Sequence, residues 1–107
     1  MRRTAVVSGD ALEDMAEIHA YIAAENSTDV ADKIIDGFET RIAALEELAE
    51  RGNFPKELLA IDVKDYRELH FKPYRIVYRV EEKRVVIYCV LDGRRDLTSL
   101  LRRRLGL

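Results

Sequence analysis

The sequence predicts an α+β domain, a helical hairpin packed on a mostly antiparallel four-stranded sheet, in the order β-α-α-β-β-β-α. Three observations predict it. Two stretches in the first half repeat their apolar residues with the 3.6-residue period of a helix. From residue 66 the pattern changes to the two-residue alternation of strands. A last leucine-rich stretch returns to the helical period. A helical hairpin must bury its apolar stripe, and the sheet is the surface available to it. The 107 residues suit one domain, 1–107.

Thr4–Ser8 (TAVVS) is short and rich in β-branched residues and reads as the first strand, punctuated by Gly9. Asp10 is then a good N-cap, and Glu13 three residues on completes a capping box. Leu12, Met15, His19 and Ile22, with Ala16 and Ala23, set the stripe of a helix over residues 10–25. Asn26–Asp29 breaks it and offers the next cap. Ala31, Ile34, Ile35, Phe38, Ile42, Leu45, Leu48 and Ala49 mark a second helix reaching about Glu50. Gly37 inside it costs about 1 kcal/mol against Ala, so a close packing contact is expected there. Gly52 fits the position just past the end.

Asn53–Asp65 is irregular, because Pro55 excludes a helix interior; Leu58, Leu59, Ile61 and Val63 are expected to cover the core edge. In the strand Tyr66–Phe71, Leu69 and Phe71 share one face and Glu68 and His70 the other. Lys72–Pro73 turns the chain. Tyr74, Ile76, Tyr78 and Val80 then alternate with Arg75, Val77 and Arg79. Arg84–Asp92 (RVVIYCVLD) is nearly all apolar, as in a central strand covered on both faces. Asp96 can cap a last helix holding Leu97, Leu100, Leu101 and Leu105. The sheet face away from the hairpin is expected to be concave or open to solvent and to carry the arginines of the third strand.

Composition narrows the function classes. The chain is 48% hydrophobic and 36% charged, with five Gly and two Pro, which argues against disorder. It has no apolar run of transmembrane length, so no membrane partner is expected. The opening MRRTAVVSGDALED does not read as a secretory signal. The one cysteine, Cys89, excludes an internal disulfide and a cysteine-based zinc site, and a cytoplasmic location is the natural reading. No His/Asp/Glu spacing reads as a metal site and no Gly-rich loop cradles a nucleotide, so no cofactor is expected. The net charge of −2 hides an asymmetry. Residues 1–65 carry seven basic and fifteen acidic side chains, a net of −8; residues 66–107 carry eleven and five, a net of +6. A basic C-terminal part suggests a face that meets a polyanion or an acidic partner.

The chemistry-bearing candidates lie in that part. Strand alternation puts Arg75 and Arg79 on one face, and Arg94 and Arg95 precede the last helix, where guanidinium forks beside free helix N–H groups suit a phosphate or carboxylate. These four can form one anion-recognising patch. Alternatively, Arg75 and Arg79 pair with Glu68 or other sheet neighbours, and Arg94 and Arg95 pair with the acidic first helix; spacing alone leaves both open. His70, on a strand, has the intrinsic pKa of a general base, although a strand histidine is more often structural. His19 reads as a core or boundary residue and Cys89 as inert core. Tyr66, Tyr74, Tyr78 and Tyr88 suit base stacking, but at alternate strand positions sheet packing is the commoner role.

The segment YRELHFKPYRIVYRVEEKRVVIYCVLDGRRDLTSLLRRRL (66–105) resembles the C-terminal half of RelE/ParE superfamily toxins of bacterial type II toxin–antitoxin systems. PYRIVYRV followed by VLDGRRDLTSLL is the specific part; the helix beginning ALEDMAEIHAYI matches more loosely. The resemblance covers essentially the whole chain and implies the same order of elements. It implies one of two activities on one fold. RelE-like members cleave mRNA in the ribosomal A site without a metal, which requires a base, charge-stabilising cations and an acid. Under that reading Arg75 and Arg95 are charge stabilisers and His70 is the candidate proton carrier. ParE-like members poison DNA gyrase by binding. Arg67, Lys72, Arg79 and Arg94 are the remaining candidates for contacts to the target or to an antitoxin. The chain departs from the RelE pattern. Tyr66, Glu68 and His70 stand where lysines line the second strand, and Leu101 stands where the last helix carries a tyrosine. The departure favours the ParE-like branch. Either branch implies a cognate antitoxin partner, of the ribbon-helix-helix DNA-binding type, in a hetero-oligomer. A third reading is a non-toxic module that only pairs with such a partner.

Overall fold

In a computed structural model, which describes residues 2–106, eight elements follow in order. They are β1 (Thr4–Val7), α1 (Gly9–Glu25), α2 (Thr28–Ala44), α3 (Lys56–Leu59), β2 (Arg67–Phe71), β3 (Tyr74–Val80), β4 (Arg84–Asp92) and α4 (Leu97–Leu105). The sheet order is β1-β4-β3-β2, with β1 parallel to β4 and the other pairs antiparallel. The α+β architecture and the element order follow the sequence expectation, with α3 as one added turn.

Helix α1 is capped by Ser8, whose hydroxyl accepts the Ala11 N–H. Ser8, not Asp10, is therefore the N-cap, and the buried stripe keeps the expected Met15 but includes Ala11 in place of Leu12. Ala11 and Met15 are buried with Ile18 packed against them, while Leu12 is 55% exposed. His19 sits at the boundary between the helices, with Nε2 2.8 Å from Asp32 Oδ1. Helix α2 is capped by Ser27 and ends at Ala44 rather than near Glu50. There the Leu45 and Glu46 N–H groups bond to carbonyls three residues back, which tightens the chain into a turn. Glu46 is also tied to β1, since its carboxylate accepts the Ala5 N–H at 2.9 Å and its carbonyl the Arg3 N–H at 2.8 Å.

The close contact expected at Gly37 is present: a Cβ there would lie 2.5 Å from the Phe71 ring. Phe71 in turn meets Phe38 edge-on at 5.5 Å. Gly52 is not a helix cap. Its N–H donates to the Tyr78 hydroxyl at 2.8 Å, and a Cβ would lie 2.5 Å from the Glu68 carbonyl oxygen. Next to it, Asn53 exchanges two backbone hydrogen bonds with Glu68, adding one residue of chain to the outer edge of β2.

The sheet buries both faces. On the hairpin side, Met15, Phe38, Ile42 and Leu45 pack on Ile76, Tyr78, Val85, Ile87 and Val90. On the other side, Leu58 of α3 and Leu97, Leu100 and Leu101 of α4 pack on Tyr66, Val77, Cys89 and Leu91. The expected solvent-facing second face is thus covered, because the leucine stripe of α4 folds back onto it. A bulge explains how β4 serves both sides. Val77 pairs with Cys89 but Tyr78 pairs with Ile87, so Tyr88 is the extra residue, and Ile87 and Val90 share a face although three apart. Asp96 caps α4 as expected, and Gly106 closes it in the left-handed conformation at φ 69°. A buried ion pair fastens α4 to α1. Arg104 Nη2 and Nη1 donate to Asp14 Oδ1 and Oδ2 at 2.6 and 2.8 Å. Asp14 Oδ2 also accepts the Val90 N–H, which β1 is too short to reach.

The two glycines at α1 and at the β2 edge should respond oppositely to one methyl group. Gly52→Ala meets backbone that cannot yield and is expected to lower unfolding free energy by about 1–3 kcal/mol. Gly9→Ala meets open space in the first turn of α1 and should leave stability unchanged or raise it by about 0.5 kcal/mol. Urea denaturation of the two variants checks both.

Candidate functional site

Arg75 is only 8% exposed, on the sheet face covered by α3 and α4. Its Nε donates to Glu68 Oε1 at 2.5 Å. Its two terminal nitrogens donate to both oxygens of Glu57, on α3, at 2.6 and 2.8 Å. The fork is therefore filled from within the chain. Glu68 is 3% exposed and also accepts from Asn53 Nδ2 at 3.0 Å. The neighbouring carboxylates push the Arg75 guanidinium further towards its charged form, and Arg75 holds the Glu57 carboxyl below the usual carboxylate range. This is the pairing with Glu68 that strand spacing left open, with Glu57 added from the connector.

The other candidates are distributed, not gathered. His70 and Lys72 are exposed and share with Arg75 and Lys56 a cavity of about 340 Å³. His70 Nε2 lies 3.6 Å from Glu68 Oε2. Arg67 donates to the Glu50 and Gly52 carbonyls at 3.2 and 2.9 Å and lies over the Phe54 ring, holding the connector. Arg79 is exposed beside Tyr66 and shares with Arg67 a different cavity of about 380 Å³. Burial pushes the Tyr66 phenol up against the pull of that guanidinium. Arg94 folds back on Asp92, with Nε 3.1 Å from Oδ1, and holds that carboxyl down. Arg95 is exposed and, among the described residues, has no carboxylate partner. It lines a third cavity of about 400 Å³ with Glu17, Tyr21, Tyr74 and Asp92. The single anion patch of Arg75, Arg79, Arg94 and Arg95 is therefore not formed: one is neutralised in the interior, one is paired locally and two point into separate cavities.

Groups with proton-transfer chemistry are mostly buried in packing roles. Leu101 lies in the second core. The Tyr78 hydroxyl accepts the Gly52 N–H, and burial pushes its phenol up. Tyr66 and Tyr88 meet edge-on at 5.8 Å, and Tyr74 meets Phe38 at 5.3 Å. Burial pushes the Cys89 thiol up to about 12, as inert core requires. Among the described residues no cluster of three or more His, Cys, Asp or Glu is placed to hold a metal. No helix is long and apolar enough to cross a membrane. The residues that sequence reading missed are Glu57, Asp14 and Arg104. They pair across 18 and 90 positions, and no local pattern signals such partners.

A two-core α+β fold with a helical hairpin and a C-terminal helix on opposite sheet faces is the class of small bacterial toxin suggested by the 66–105 segment. The family model for the ParE toxin of the type II toxin–antitoxin system parDE matches residues 5–97. The chain belongs to the ParE toxin family. A chain from the chromosomal ParDE toxin–antitoxin system of P. aeruginosa shares the fold, with a TM-score of 0.71 at 17% identity, covering 85% of this chain and 96% of that one. No curated protein matches the sequence.

Removing the Arg75 cation should be costly. Arg75→Met leaves two carboxylates without their cation and is expected to lower unfolding free energy by about 3–5 kcal/mol. Adding Glu57→Gln and Glu68→Gln should restore a large part of that loss in the same denaturation assay. The pairing also sets an acid limb. A carboxyl held below 4.5 in the folded state contributes stability above that pH and loses it as pH falls through the lowered value. Wild-type stability should therefore fall below about pH 4.5, and Glu57→Gln should flatten that limb in urea titrations at successive pH values.

Proposed function

We propose that the chain is the toxic component of a type II toxin–antitoxin pair that arrests growth by binding, with DNA gyrase as its target, and that a cognate antitoxin neutralises it in a hetero-oligomer. The observation that carries this reading is the filled Arg75 fork. A guanidinium that gives three of its five N–H donors to Glu57 and Glu68, whose two carboxylates offset its charge, offers little to the developing charge of a phosphoryl transition state. The buried Leu101 adds to it, since an aliphatic side chain in the last helix supplies no acid or base. A binding poison needs neither group. Family membership supports the toxin role, and the basic 66–107 segment suits an acidic antitoxin segment that folds on binding, from a protein of the ribbon-helix-helix DNA-binding type.

One observation favours a ribosome-dependent mRNA endonuclease instead. His70 is exposed, shares a cavity with Arg75 and Lys72, and carries an imidazole, a side chain that can transfer protons. With the Arg75 charge offset by two carboxylates, that histidine has the lysines Lys56 and Lys72 beside it but no unpaired guanidinium, and the exposed Arg95 belongs to another cavity.

The test is induction of the chain alone in a bacterium. Growth arrest with an SOS response and gyrase-linked double-strand breaks is expected, with rescue by the reading frame next to its gene. Cleaved mRNA on purified ribosomes with intact chromosomal DNA would replace the gyrase reading by the nuclease reading. No arrest at good expression would leave only the non-toxic pairing module. Under the binding reading, His70→Ala should arrest growth at the same inducer dose as wild type.

A further inference from the structure

Three parts of the fold meet around the cavity that Arg95 lines. Helix α1 brings Asp14, Glu17, Ile18 and Tyr21 to it, and that spacing of three and four residues puts them on one side of the helix. Tyr74 comes from the start of β3, and its ring meets Phe38 edge-on at 5.3 Å, which holds it in place. Arg95 comes from the loop between β4 and α4. Val90 and Leu91 of β4 add an apolar lining, and the volume of about 400 Å³ lies in the range of small-ligand sites.

Most of the charge around this cavity is already paired. Asp14 is held by Arg104 at 2.6 Å and Asp92 by Arg94 at 3.1 Å. Glu17 and Arg95 remain. Both are exposed, and among the described residues neither forms an ion pair, with the other or with a third group. A bare phosphate drawn to Arg95 would meet the Glu17 carboxylate, and a bare cation drawn to Glu17 would meet the Arg95 guanidinium. The pair therefore suits a neutral molecule that offers acceptors to one side chain and donors to the other. Tyr21, 68% exposed, and Tyr74 add aromatic faces for a planar ring.

We infer that this cavity binds a guanine base stacked on the tyrosines, with Arg95 donating to O6 and N7 and Glu17 accepting from N1–H and the 2-amino group. Arginine pairs with guanine O6 and N7 as a two-pronged donor, and a carboxylate has two oxygens for the two neighbouring N–H groups. Among the common bases guanine alone carries both an adjacent pair of acceptors and an adjacent pair of donor groups. Adenine offers N7 and one amino group, so it leaves each fork half filled, and the pyrimidines have no N7. The base can belong to a free nucleotide or to an opened single strand; in a duplex its N1–H and 2-amino group are already paired. The cavity contains none of Arg75, Glu57 and Glu68, so base binding there stands whether or not the chain poisons gyrase.

The 5′-monophosphates of guanosine, inosine and adenosine, titrated separately into the full chain and followed by proton–nitrogen NMR, test the site, because the phosphate is common to all three. Guanosine monophosphate should give saturable shifts at the Glu17 and Tyr21 amides and at Arg95 Nε. Inosine monophosphate, which lacks the 2-amino group, should bind about tenfold more weakly, and adenosine monophosphate more weakly than guanosine monophosphate as well. Glu17→Ala should remove the preference for guanosine over inosine, and Arg95→Met the preference for guanosine over its 7-deaza analogue. Both variants change exposed side chains, so the rest of the amide spectrum should keep its wild-type positions. A thymidine decamer carrying one central guanosine separates the two sources. Tighter binding than the monophosphate assigns the base to an opened strand, equal or weaker binding to a free nucleotide, and either result upholds the guanine site. No saturable shift, equal binding of adenosine monophosphate, shifts confined to other surfaces, or preferences that survive both substitutions would overturn it.

Discussion

A guanidinium removed from water has to be paired, and in this chain the pairing of Arg75 organises one side of the molecule. Glu57 reaches it from α3, which fixes the connector against the sheet and seats Leu58 in the second core. Glu68 reaches it from β2, and the same residue pairs through its backbone with Asn53, beside the Gly52 that bonds to Tyr78. One buried cation thereby links the irregular segment, the edge strand and a central strand. Against an apolar replacement such a pair adds little net stability, whereas removal of one member is costly. Its effect is to position: among the described residues no buried side-chain polar atom is left without a partner.

The same pairing shapes the functional reading. Fold alone does not separate a nuclease from a binding poison in this superfamily, because both activities occupy one scaffold. What separates them is whether cations are available where charge develops. Here the interior arginine is consumed and the exposed cations lie on distinct surfaces: Arg79 beside Tyr66, Arg95 facing α1, and Lys56 and Lys72 along the β2 edge. That distribution suits contacts with a large partner better than convergence on one phosphate.

Most of the fold was legible because its signals are local. The alternation of β2 and β3, the doubly apolar β4, the Asp96 cap and the crowding at Gly37 each follow from a few neighbouring residues. The errors have equally physical causes. Ser8 outcompeted Asp10 as the cap, two residues earlier, and Ala11 and Met15, rather than Leu12, meet the core. Helix α2 stopped early because Glu46 is drawn to the edge of β1. The second core was missed because the leucine stripe of α4 states that something is covered, not what. The site was least legible. Alternation correctly placed Arg75 on the face with Glu68, but its neutralisation depends on Glu57 from an irregular segment, and the fastening of α4 depends on Asp14 meeting Arg104 across nearly the whole chain.

The Arg75 Nε–H signal in a proton–nitrogen NMR spectrum reports most directly on whether that cation is closed to ligands. Titration with inorganic phosphate and with a ribonucleoside 3′-phosphate at neutral pH should leave it sharp, slow to exchange with water and unshifted, while Glu57→Gln makes it exchange faster. A saturable shift of that signal in the wild-type chain would mean that the fork is open to phosphate, and the binding-only mode of action would be contradicted.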